Sequence, residues 1–393
     1  MHVDNAFFCL SKVIFCSYMK GGRELKIGGR DLKMTELQDK TILITGFAGF
    51  IGSFLTKRLL QDYKDIVVVG VDNMNDYYDV HLKEYRVNKL IELSEDNNTG
   101  KLIPLRDVDI SNKISVEKVF AKYHPSVVVN LAAQAGVRYS IESPDAYISS
   151  NLIGFYNILE ACRHSYDNGQ TGVQHLVYAS SSSVYGGNKK IPFSVEDKVD
   201  NPVSLYAATK KSNELMAHAY SKLYHIPSTG LRFFTVYGPA GRPDMAYFGF
   251  TNKLIKGEKI RIFNYGKCKR DFTYIDDIVE GIIRVMWGAP EIKKGEDGLL
   301  IPPYKVYNIG NNNPEKLLDF VEILQEELVN AGILPDDFDF ESHKELVPMQ
   351  PGDVPITYAD TSALERDFGY KPSTPLREGL RNFSQWYKKY YLD

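Results

Sequence analysis

Tyr206 and Lys210 stand four residues apart in the segment SLYAATKKSNE. In a helix, that spacing places the two side chains on one face, one turn apart. A phenol with a pKa of about 10 is a poor base at neutral pH, and a neighbouring ammonium favours its ionised form. The pair is therefore typical of a site in which a tyrosine takes up and returns a proton. A surface helix can carry the same two residues by chance, so the interpretation depends on the surrounding elements.

The segment HLVYASSSSVYG reads as a strand that runs into a loop, and its serine run comes where the strand ends. Open α/β sheets bind their ligands at that edge. We expect Ser181 to hydrogen-bond a substrate hydroxyl and to share its proton with Tyr206, with smaller parts for Ser182 and Ser183. A turn whose serines bond only to their own backbone is the alternative. The candidate catalytic residues are thus Ser181, Tyr206 and Lys210.

Three glycines, Gly46, Gly49 and Gly52, lie between an apolar run and a stretch with helical spacing in KTILITGFAGFIGSFLTKRLL. A second apolar run ends at Asp72, 20 residues beyond Gly52. This context predicts a β-α-β unit that holds a dinucleotide at the helix N-terminus, with its phosphates near the backbone N–H groups. A carboxylate at Asp72 suits both ribose hydroxyls and repels a 2'-phosphate, which favours NAD over NADP. The positive nicotinamide ring would also favour the Tyr206 phenolate.

The alternation of strand and helix continues along the chain. LIPLRDVDI and SVVVNLAAQ read as strands, and NKISVEKVFAKY and NLIGFYNILEACRHS as helices. Apolar runs without strict alternation indicate strands buried on both faces. The predicted fold class is α/β, a Rossmann-type doubly wound parallel sheet with a smaller mixed α/β C-terminal substrate domain. We expect three parts: a tail at 1–34, either ordered or disordered, an NAD-binding domain at 35–236 to which 271–290 return, and a substrate-binding domain at 237–270 and 291–393. The segment VYNIG is also able to join the first sheet.

Composition excludes several classes of protein. A formal net charge of −3 over 393 residues gives no basic face for nucleic acid. No stretch approaches the roughly 18 to 20 apolar residues that span a bilayer. The four cysteines, Cys9, Cys16, Cys162 and Cys268, show neither CxxC nor metal-ligand spacing with histidine, which indicates structural roles in a reducing compartment and no metal. We therefore expect a cytoplasmic protein. Residues 1–33 lack the features of a signal peptide and are interpreted as a tail, an upstream start or a weak anchor.

From about Lys40 to its C-terminus, the chain resembles the extended short-chain dehydrogenases/reductases. The motifs that carry this resemblance are TGFAGFIG, DNMNDYYDVHLKEYR, NLAAQAGVRYS, SSSSVYG, YAATK, LRFFTVYGPAGRPDM, RDFTYIDDI and QPGDV. Within that family it is most similar to the UDP-glucuronate 4-epimerases, for which DNMNDYYDV and FFTVYGPAGRPDM are quite specific. The resemblance implies NAD as cofactor, a UDP-sugar as substrate and a homodimer, joined through the helices near NLIGFYNILEACRHS and LYAATKKSNELMAHAYSKLY.

The resemblance also implies roles for individual residues. The residues expected to bind the cofactor are Gly46, Gly49, Phe50, Ile51, Gly52, Asp72, Asn73, Asp109, Ile110, Leu131, Ala132, Ala133, Tyr206, Lys210 and Phe233. Those expected at the substrate are Arg138, Ser181, Ser182, Ser183, Tyr206, Thr235, Arg242 and Arg270. Thr235 would face the sugar, Arg138 and Arg242 its carboxylate or diphosphate, and Arg270 the diphosphate. Two positions depart from the family: Asn130 replaces a frequent His, and Gln350 replaces an Arg, so that Arg270 must carry more of the diphosphate charge.

The implied reaction is a transient oxidation, in which Tyr206 removes the proton of the 4-hydroxyl and a 4-keto sugar turns its other face before it is reduced. Related 4,6-dehydratases and decarboxylases use acidic residues beside the catalytic hydroxyl, where this chain has Ser182 and Ser183. Acids elsewhere, such as Glu142 or Asp244, are an alternative source. The open alternatives are an epimerase for a neutral UDP-hexose or N-acetylhexosamine, a UDP-glucuronate decarboxylase, an enzyme of net sugar oxidation, and a catalytically silent NAD-binding regulatory module.

Overall fold

A computed structural model describes residues 25–27, 30–32, 37–96, 98–349 and 353–393 of the protein. Strands β1 (Leu25–Ile27) and β2 (Arg30–Leu32) pair in antiparallel fashion. The rest of the predicted tail at 1–34 lies outside the described residues, and so does Gln350. Within the described part of the chain, no helix has both the length and the apolar character needed to cross a membrane.

Seven strands form one sheet in the order β14-β8-β7-β6-β3-β4-β5. Every adjacent pair is parallel. Because parallel neighbours need a crossover, helices must lie on the faces of the sheet. The strands are β3 Thr41–Thr45, β4 Val67–Val71, β5 Lys101–Leu105, β6 Val127–Asn130, β7 His175–Ser181, β8 Ser228–Phe233 and β14 Tyr304–Ile309. The predicted Rossmann-type parallel sheet is confirmed.

Successive strand residues point to opposite faces, and each face has its own apolar core. The helices up to residue 287 are α1 Phe50–Asp62, α2 Val80–Ser94, α3 Lys113–Tyr123, α4 Tyr139–Glu142, α5 Pro144–Tyr147, a π-helix Ile148–Ile153, α6 Gly154–His164, α7 Leu205–Tyr224, α8 Ala246–Ile255 and α9 Ile275–Trp287. In β6, Val127 and Val129 pack with α1, α2 and α9, whereas Val128 packs with α3, α6 and α7. Burial of both faces explains why the strands carry uninterrupted apolar runs.

The C-terminal elements form smaller sheets beside the main one. They are β9 Thr235–Tyr237, β10 Ile260–Ile262, β11 Lys269–Tyr274, β12 Lys293–Lys294, β13 Leu300–Ile301, β15 Pro314–Lys316, β16 Lys344–Leu346, α10 Leu317–Asn330, α11 Ser362–Phe368 and α12 Leu376–Tyr391. Within 271–290, β11 pairs with β9 and β15, whereas α9 packs on the main sheet. Strand β14 lies in the main sheet, as expected for VYNIG, although 291–393 were assigned to the substrate-binding domain. The domain boundaries stay predictions.

The turn from β3 into α1 leaves no room for side chains at two of its glycines. Gly46 has a φ of +72°, in the left-handed region that favours glycine. A Cβ atom on Gly52 would lie 2.2 Å from the carbonyl oxygen of Gly46. The helix and the strand before it can therefore approach closely only because these positions lack a Cβ.

We predict that Gly52→Ala lowers the free energy of unfolding by about 1 to 3 kcal/mol, because the methyl group meets backbone atoms that cannot move aside. Urea unfolding followed by tryptophan fluorescence measures the change. Gly187→Ala is the matched control, since Gly187 is exposed and a Cβ there meets no atom within 4 Å. Its stability should stay within about 0.5 kcal/mol of the wild type. Equal stability of Gly52→Ala and the wild type would contradict the close approach.

Candidate active site

Two adjoining cavities open at the carboxyl ends of the parallel strands. The first, of about 260 Å³, is lined by the glycine turn, the ends of β4, β6, β7 and β8, and α7. All the residues predicted to bind the cofactor line this cavity: Gly46, Gly49, Phe50, Ile51, Gly52, Asp72, Asn73, Asp109, Ile110, Leu131, Ala132, Ala133, Tyr206, Lys210 and Phe233. We refer to it as the cofactor cavity.

The second cavity, of about 850 Å³, lies between the same strand ends and the C-terminal elements. All the predicted substrate residues line it: Arg138, Ser181, Ser182, Ser183, Tyr206, Thr235, Arg242 and Arg270. We refer to it as the substrate cavity. Seven residues line both cavities, namely Tyr77, Ser181, Tyr206, Phe233, Phe234, Arg242 and Met245. The two predicted reacting hydroxyls are thus located where the cavities meet.

Helix α7 and strand β7 bring the three candidate catalytic residues together. Ser204 caps the helix by accepting a hydrogen bond from the N–H of Ala207, so the helix starts just before Tyr206. Tyr206 lies near Ser181, the last residue of β7, whose hydroxyl lowers the pKa of the phenol. One turn later, Nζ of the buried Lys210 donates to the carbonyl oxygen of Ala179 at 2.8 Å. The predicted spacing argument holds: one helix face presents both residues to the end of one strand.

The pKa values in the site differ from the expectation. Desolvation raises the pKa of Tyr206, and the hydrogen bond from Ser181 and the charge of Arg242 lower it by less. Arg242 supplies a favourable charge that the sequence argument did not include, and the action of Lys210 on the phenol stays a prediction. Burial lowers the pKa of Lys210 to about 8. Among the protein's own groups, the phenolate is therefore favoured by Ser181 and Arg242.

The serine run forms a chain of hydroxyl groups. Ser183 donates to the Ser181 oxygen twice, from its hydroxyl at 2.9 Å and from its backbone N–H at 3.1 Å. Since that oxygen accepts two bonds, the Ser181 proton is left to point at Tyr206. The alternative of a local serine turn is thus partly realised, because Ser181 caps the short 3-10 helix Ser182–Tyr185. The turn itself directs the hydroxyl toward the tyrosine.

The residues of the cofactor cavity fit a dinucleotide. Gly49 is the N-cap of α1, and no side chain caps this helix end, so its N–H groups can meet phosphates. Asp72 is buried at the end of β4, with its carboxylate 3.7 Å from Nζ of Lys83. Asn73 donates to Asp109 at 2.9 Å, which links the ends of two neighbouring strands. The Asp72 carboxylate and the glycine turn both line this cavity, where they can meet the ribose and the phosphates of NAD.

The predicted arginines of the substrate cavity already have acidic or aromatic neighbours. Arg242 donates to Asp244 from Nε at 3.0 Å and from Nη2 at 2.5 Å. Tyr77 also donates to Asp244, at 3.2 Å. Arg270 pairs with Asp353 at 2.6 Å. A guanidinium has five N–H donors, so donors of Arg242 are left for a further anion.

The exposed Arg138 lies over the ring of Phe263, 5.0 Å from its centre. Asn130, which replaces a frequent His of the family, is buried and accepts a hydrogen bond from Thr45 at 2.7 Å. Its side chain therefore ties β6 to β3.

Sequence reasoning gave no role to several residues that line these cavities. Tyr77 and Lys83 belong to DNMNDYYDVHLKEYR, so that motif was a signal for both. Phe234 and Met245 likewise fall in quoted motifs. For Lys253, Arg261 and Phe263 in the substrate cavity no sequence signal was available, because chain folding alone brings them there.

The sequence profile of the NAD dependent epimerase/dehydratase family matches residues 42–310, more than half of the chain and most of both cavity walls. The chain belongs to this family. It is 51% identical over 356 residues to protein CapI of Staphylococcus aureus, covering 89% of this chain and 99% of that protein. It is 45% identical over 357 residues to UDP-glucuronate 4-epimerase 4 of Arabidopsis thaliana, covering 89% and 76%.

Among solved structures, the chain is similar to UDP-glucuronic acid 4-epimerase from Bacillus cereus in complex with UDP-glucuronic acid and NAD. The TM-score is 0.74 and the identity 31%, over 89% of this chain and all of that one. The predicted family, its enzymatic nature and its dependence on NAD are confirmed. Among the described residues, no cluster of three or more His, Cys, Asp or Glu side chains has the geometry of a metal site. The roles of individual site residues stay predictions.

The lowered pKa of Lys210 predicts a pH-dependent contribution to stability. Between pH 8 and about 10.5, the unfolded chain keeps the lysine proton and the folded protein releases it, so the Lys210 contribution to stability rises with pH. Wild type should gain on the order of 2 to 3 kcal/mol relative to Lys210→Met across this window, measured by urea unfolding at each pH. Lys118→Met replaces an exposed lysine and controls for the substitution itself. Parallel stability curves for wild type and Lys210→Met would refute the lowered pKa.

Proposed function

We propose that the protein is a UDP-sugar 4-epimerase that converts UDP-glucuronate to UDP-galacturonate. The observation that carries this proposal is the position of Ser181 and Tyr206, which both line the two cavities where these meet. A sugar hydroxyl in the substrate cavity can meet them beside a dinucleotide in the cofactor cavity. The similarity to UDP-glucuronate 4-epimerases supports the choice of sugar.

Tyr206 is the group that takes the proton of the sugar's 4-hydroxyl, and Ser181 holds that hydroxyl while donating toward the phenolate. NAD, when bound, would supply a reversible hydride acceptor for C4 of the sugar, and the glycine turn and Asp72 would hold it in the cofactor cavity. Arg242 lowers the free energy of the phenolate by its positive charge. Lys210 is held by Ala179 beside the cofactor cavity, one turn from Tyr206.

A carboxylate on the sugar matches the donors of the substrate cavity. Ser182 and Thr235 supply hydroxyl donors, and Arg242 on the same cavity supplies a positive charge. Ser183 also lines the cavity, but its hydroxyl already donates to Ser181. Hydrogen bonds to an ionised acceptor are stronger than those between neutral groups, so the acid is favoured over a neutral hexose. Arg270 lies on the same wall and is proposed to hold the diphosphate.

Glu142 and Asp244 both line the substrate cavity. They are the two acids that the sequence analysis kept as alternatives for elimination or decarboxylation. Asp244, however, accepts two bonds from Arg242 and one from Tyr77, which occupy its carboxylate oxygens. Glu142 is exposed to solvent. The occupied carboxylate of Asp244 supports epimerisation over decarboxylation.

Purified protein incubated with UDP-glucuronate, without added NAD, should give a mixture of the two epimers that chromatography separates. The absorbance at 340 nm should show no net change, because each hydride returns. Turnover of UDP-glucose but not UDP-glucuronate would indicate the neutral-sugar epimerase. A pentose product would indicate the decarboxylase, and steady NADH accumulation would indicate net oxidation. The absence of any sugar turnover would support the silent regulatory module.

In the same assay, Tyr206→Phe should lower kcat by about 100-fold or more, because the proton acceptor is lost while the ring is kept. Binding of UDP-glucuronate, measured by calorimetry, should change little. Tyr123→Phe is the control, since Tyr123 ends α3 just before β6 and lies at the opposite edge of the sheet. Unchanged turnover by Tyr206→Phe would exclude the proposed mechanism.

We also propose that two copies pair through α6 and α7. Leu215 and Leu223 lie eight residues apart on one face of α7, with 59% and 67% of their surfaces exposed. Ile153, which ends the π-helix, and Tyr156 on α6 are also exposed, and α6 contacts α7. Apolar side chains grouped on two adjacent helices indicate an interface. The cytoplasmic location stays a prediction.

The double variant Leu215→Glu/Leu223→Glu should be a monomer in sedimentation velocity at concentrations where the wild type is a dimer, because charges would be buried without partners. Leu346→Glu changes a leucine of similar exposure, 52%, on β16 and should leave the dimer intact. A wild-type monomer, or dissociation by the control as well, would rule out this interface.

A further inference from the structure

A buried ion pair lies directly behind the reacting hydroxyls. Glu214 on α7 and Arg232 on β8 are each only 3% exposed. Two parallel hydrogen bonds join them, from Nε to Oε1 at 2.8 Å and from Nη2 to Oε2 at 2.9 Å. The hydroxyl of Ser180 donates to the same Oε1 at 2.7 Å. Neither charged residue lines the cofactor cavity or the substrate cavity, so the pair is not positioned to contact a ligand in either.

Three residues of α7 contact three consecutive residues of β7. Tyr206, Lys210 and Glu214 recur every four residues along the helix, although their strand partners do not follow the same order. Tyr206 meets Ser181, Lys210 meets the Ala179 carbonyl, and Glu214 meets the Ser180 hydroxyl. Helix α7 therefore contacts Ser180 and both of its neighbours, and one of these neighbours, Ser181, carries the reacting hydroxyl.

Arg232 also contacts the chain just beyond the last serine of the run. Its Nη1 donates to the hydroxyl of Tyr185 at 3.0 Å, and its guanidinium lies over the Tyr185 ring at 4.9 Å. Tyr185 in turn donates to Asn308 on β14 at 2.7 Å. Ser180 is the first residue of the serine run and Tyr185 lies two residues beyond its last serine, so the ion pair contacts the chain at both ends of this segment.

Stability alone does not account for this arrangement. A buried ion pair can often be replaced by apolar residues of similar volume with no loss of stability, because desolvation offsets its attraction. Apolar residues cannot fix the orientation of neighbouring polar groups. A guanidinium and a carboxylate do, because their hydrogen bonds fix the positions of the groups bonded to them. The Glu214–Arg232 pair provides such fixed directions at the strand end.

We propose that Glu214 and Arg232 are positioning residues, which act through Ser180 and Tyr185 to hold the Ser181 hydroxyl against Tyr206. This inference rests on the proposed function in one respect, that Ser181 and Tyr206 are the reacting hydroxyls. It adds two residues to the machinery of proton transfer that contact neither sugar nor cofactor. A displaced Ser181 would lose the alignment on which proton transfer depends.

The double variant Glu214→Met/Arg232→Met tests the proposal, because it removes both charges together and leaves neither unpaired. We expect a thermal unfolding midpoint close to that of the wild type, a kcat at least about tenfold lower and a little-changed KM. The rise of kcat with pH should also move to higher pH, because Ser181 no longer donates fully to the phenolate. Wild-type kcat and pH profile in a folded double variant would overturn the proposal.

Ser180→Ala carries the test should the double variant fail to fold, since it removes only the hydroxyl and keeps the ion pair. It should lower kcat in the same direction with KM retained, and a wild-type kcat and pH profile would again count against the proposal. Lys211→Met is the matched control. Lys211 is a second cation near Glu214, at 3.5 Å, but it is partly exposed and not bonded to the strand. Its removal should leave kcat and the pH profile unchanged.

A crystal structure of the double variant separates this proposal from the proposed function. A shift of Ser181 away from Tyr206, relative to a wild-type crystal structure, supports the positioning role whichever sugar the enzyme uses. An unmoved Ser181, with the rest of the serine run also in place, overturns it even if UDP-glucuronate proves to be the substrate. Failure of the wild type to epimerise UDP-glucuronate would change the substrate assignment and leave this structural test intact.

Discussion

The whole site depends on the parallel pairing of the strands. In a parallel sheet all carboxyl ends meet at one edge, so residues far apart in sequence are brought together there. Gly46 follows β3, Asp72 follows β4 and Leu131 follows β6, while Ser181 and Phe233 end β7 and β8. Each of these residues lines the cofactor cavity. A single change of strand direction would move one of these walls to the opposite edge and divide the site.

The elements that depend on local spacing could be predicted from the sequence. Gly46 and Gly52 act within one turn, and Tyr206 and Lys210 within one helical turn, so their geometry follows from the residues between them. The end of β7 at Ser181 followed from an apolar run that stops. Helix α2, by contrast, matches no predicted element, and the predicted helix NLIGFYNILEACRHS begins with a π-helix, Ile148–Ile153.

The charge partners could not be predicted, because they depend on tertiary contacts. Glu214 and Arg232 stand 18 residues apart on different elements, and neither segment contains a pattern that predicts their pairing. Arg242 was expected to face the substrate, yet its neighbour Asp244 takes two of its donors. Lys210 was expected to act on the phenol, yet its ammonium is bonded to the backbone of β7. Spacing reveals which residues share a face, whereas partner choice is decided by what packs against that face.

These partners bear on how a 4-keto uronic acid would be kept intact. Such an intermediate is a β-keto acid, and it is prone to lose CO₂ when its carboxylate leaves a charged, solvated environment. Arg242 lies in the substrate cavity with Asp244 already bonded, so its charge is partly balanced before any sugar carboxylate arrives. The sugar carboxylate would meet the remaining donors of Arg242 and the hydroxyls of Ser182 and Thr235, and would stay ionised and hydrogen-bonded. The same ion pair withholds the nearby acid Asp244 from proton transfer. For the proposed substrate, an arginine shared between a fixed aspartate and a mobile sugar carboxylate would therefore allow the sugar ring to turn over while restraining the side reaction.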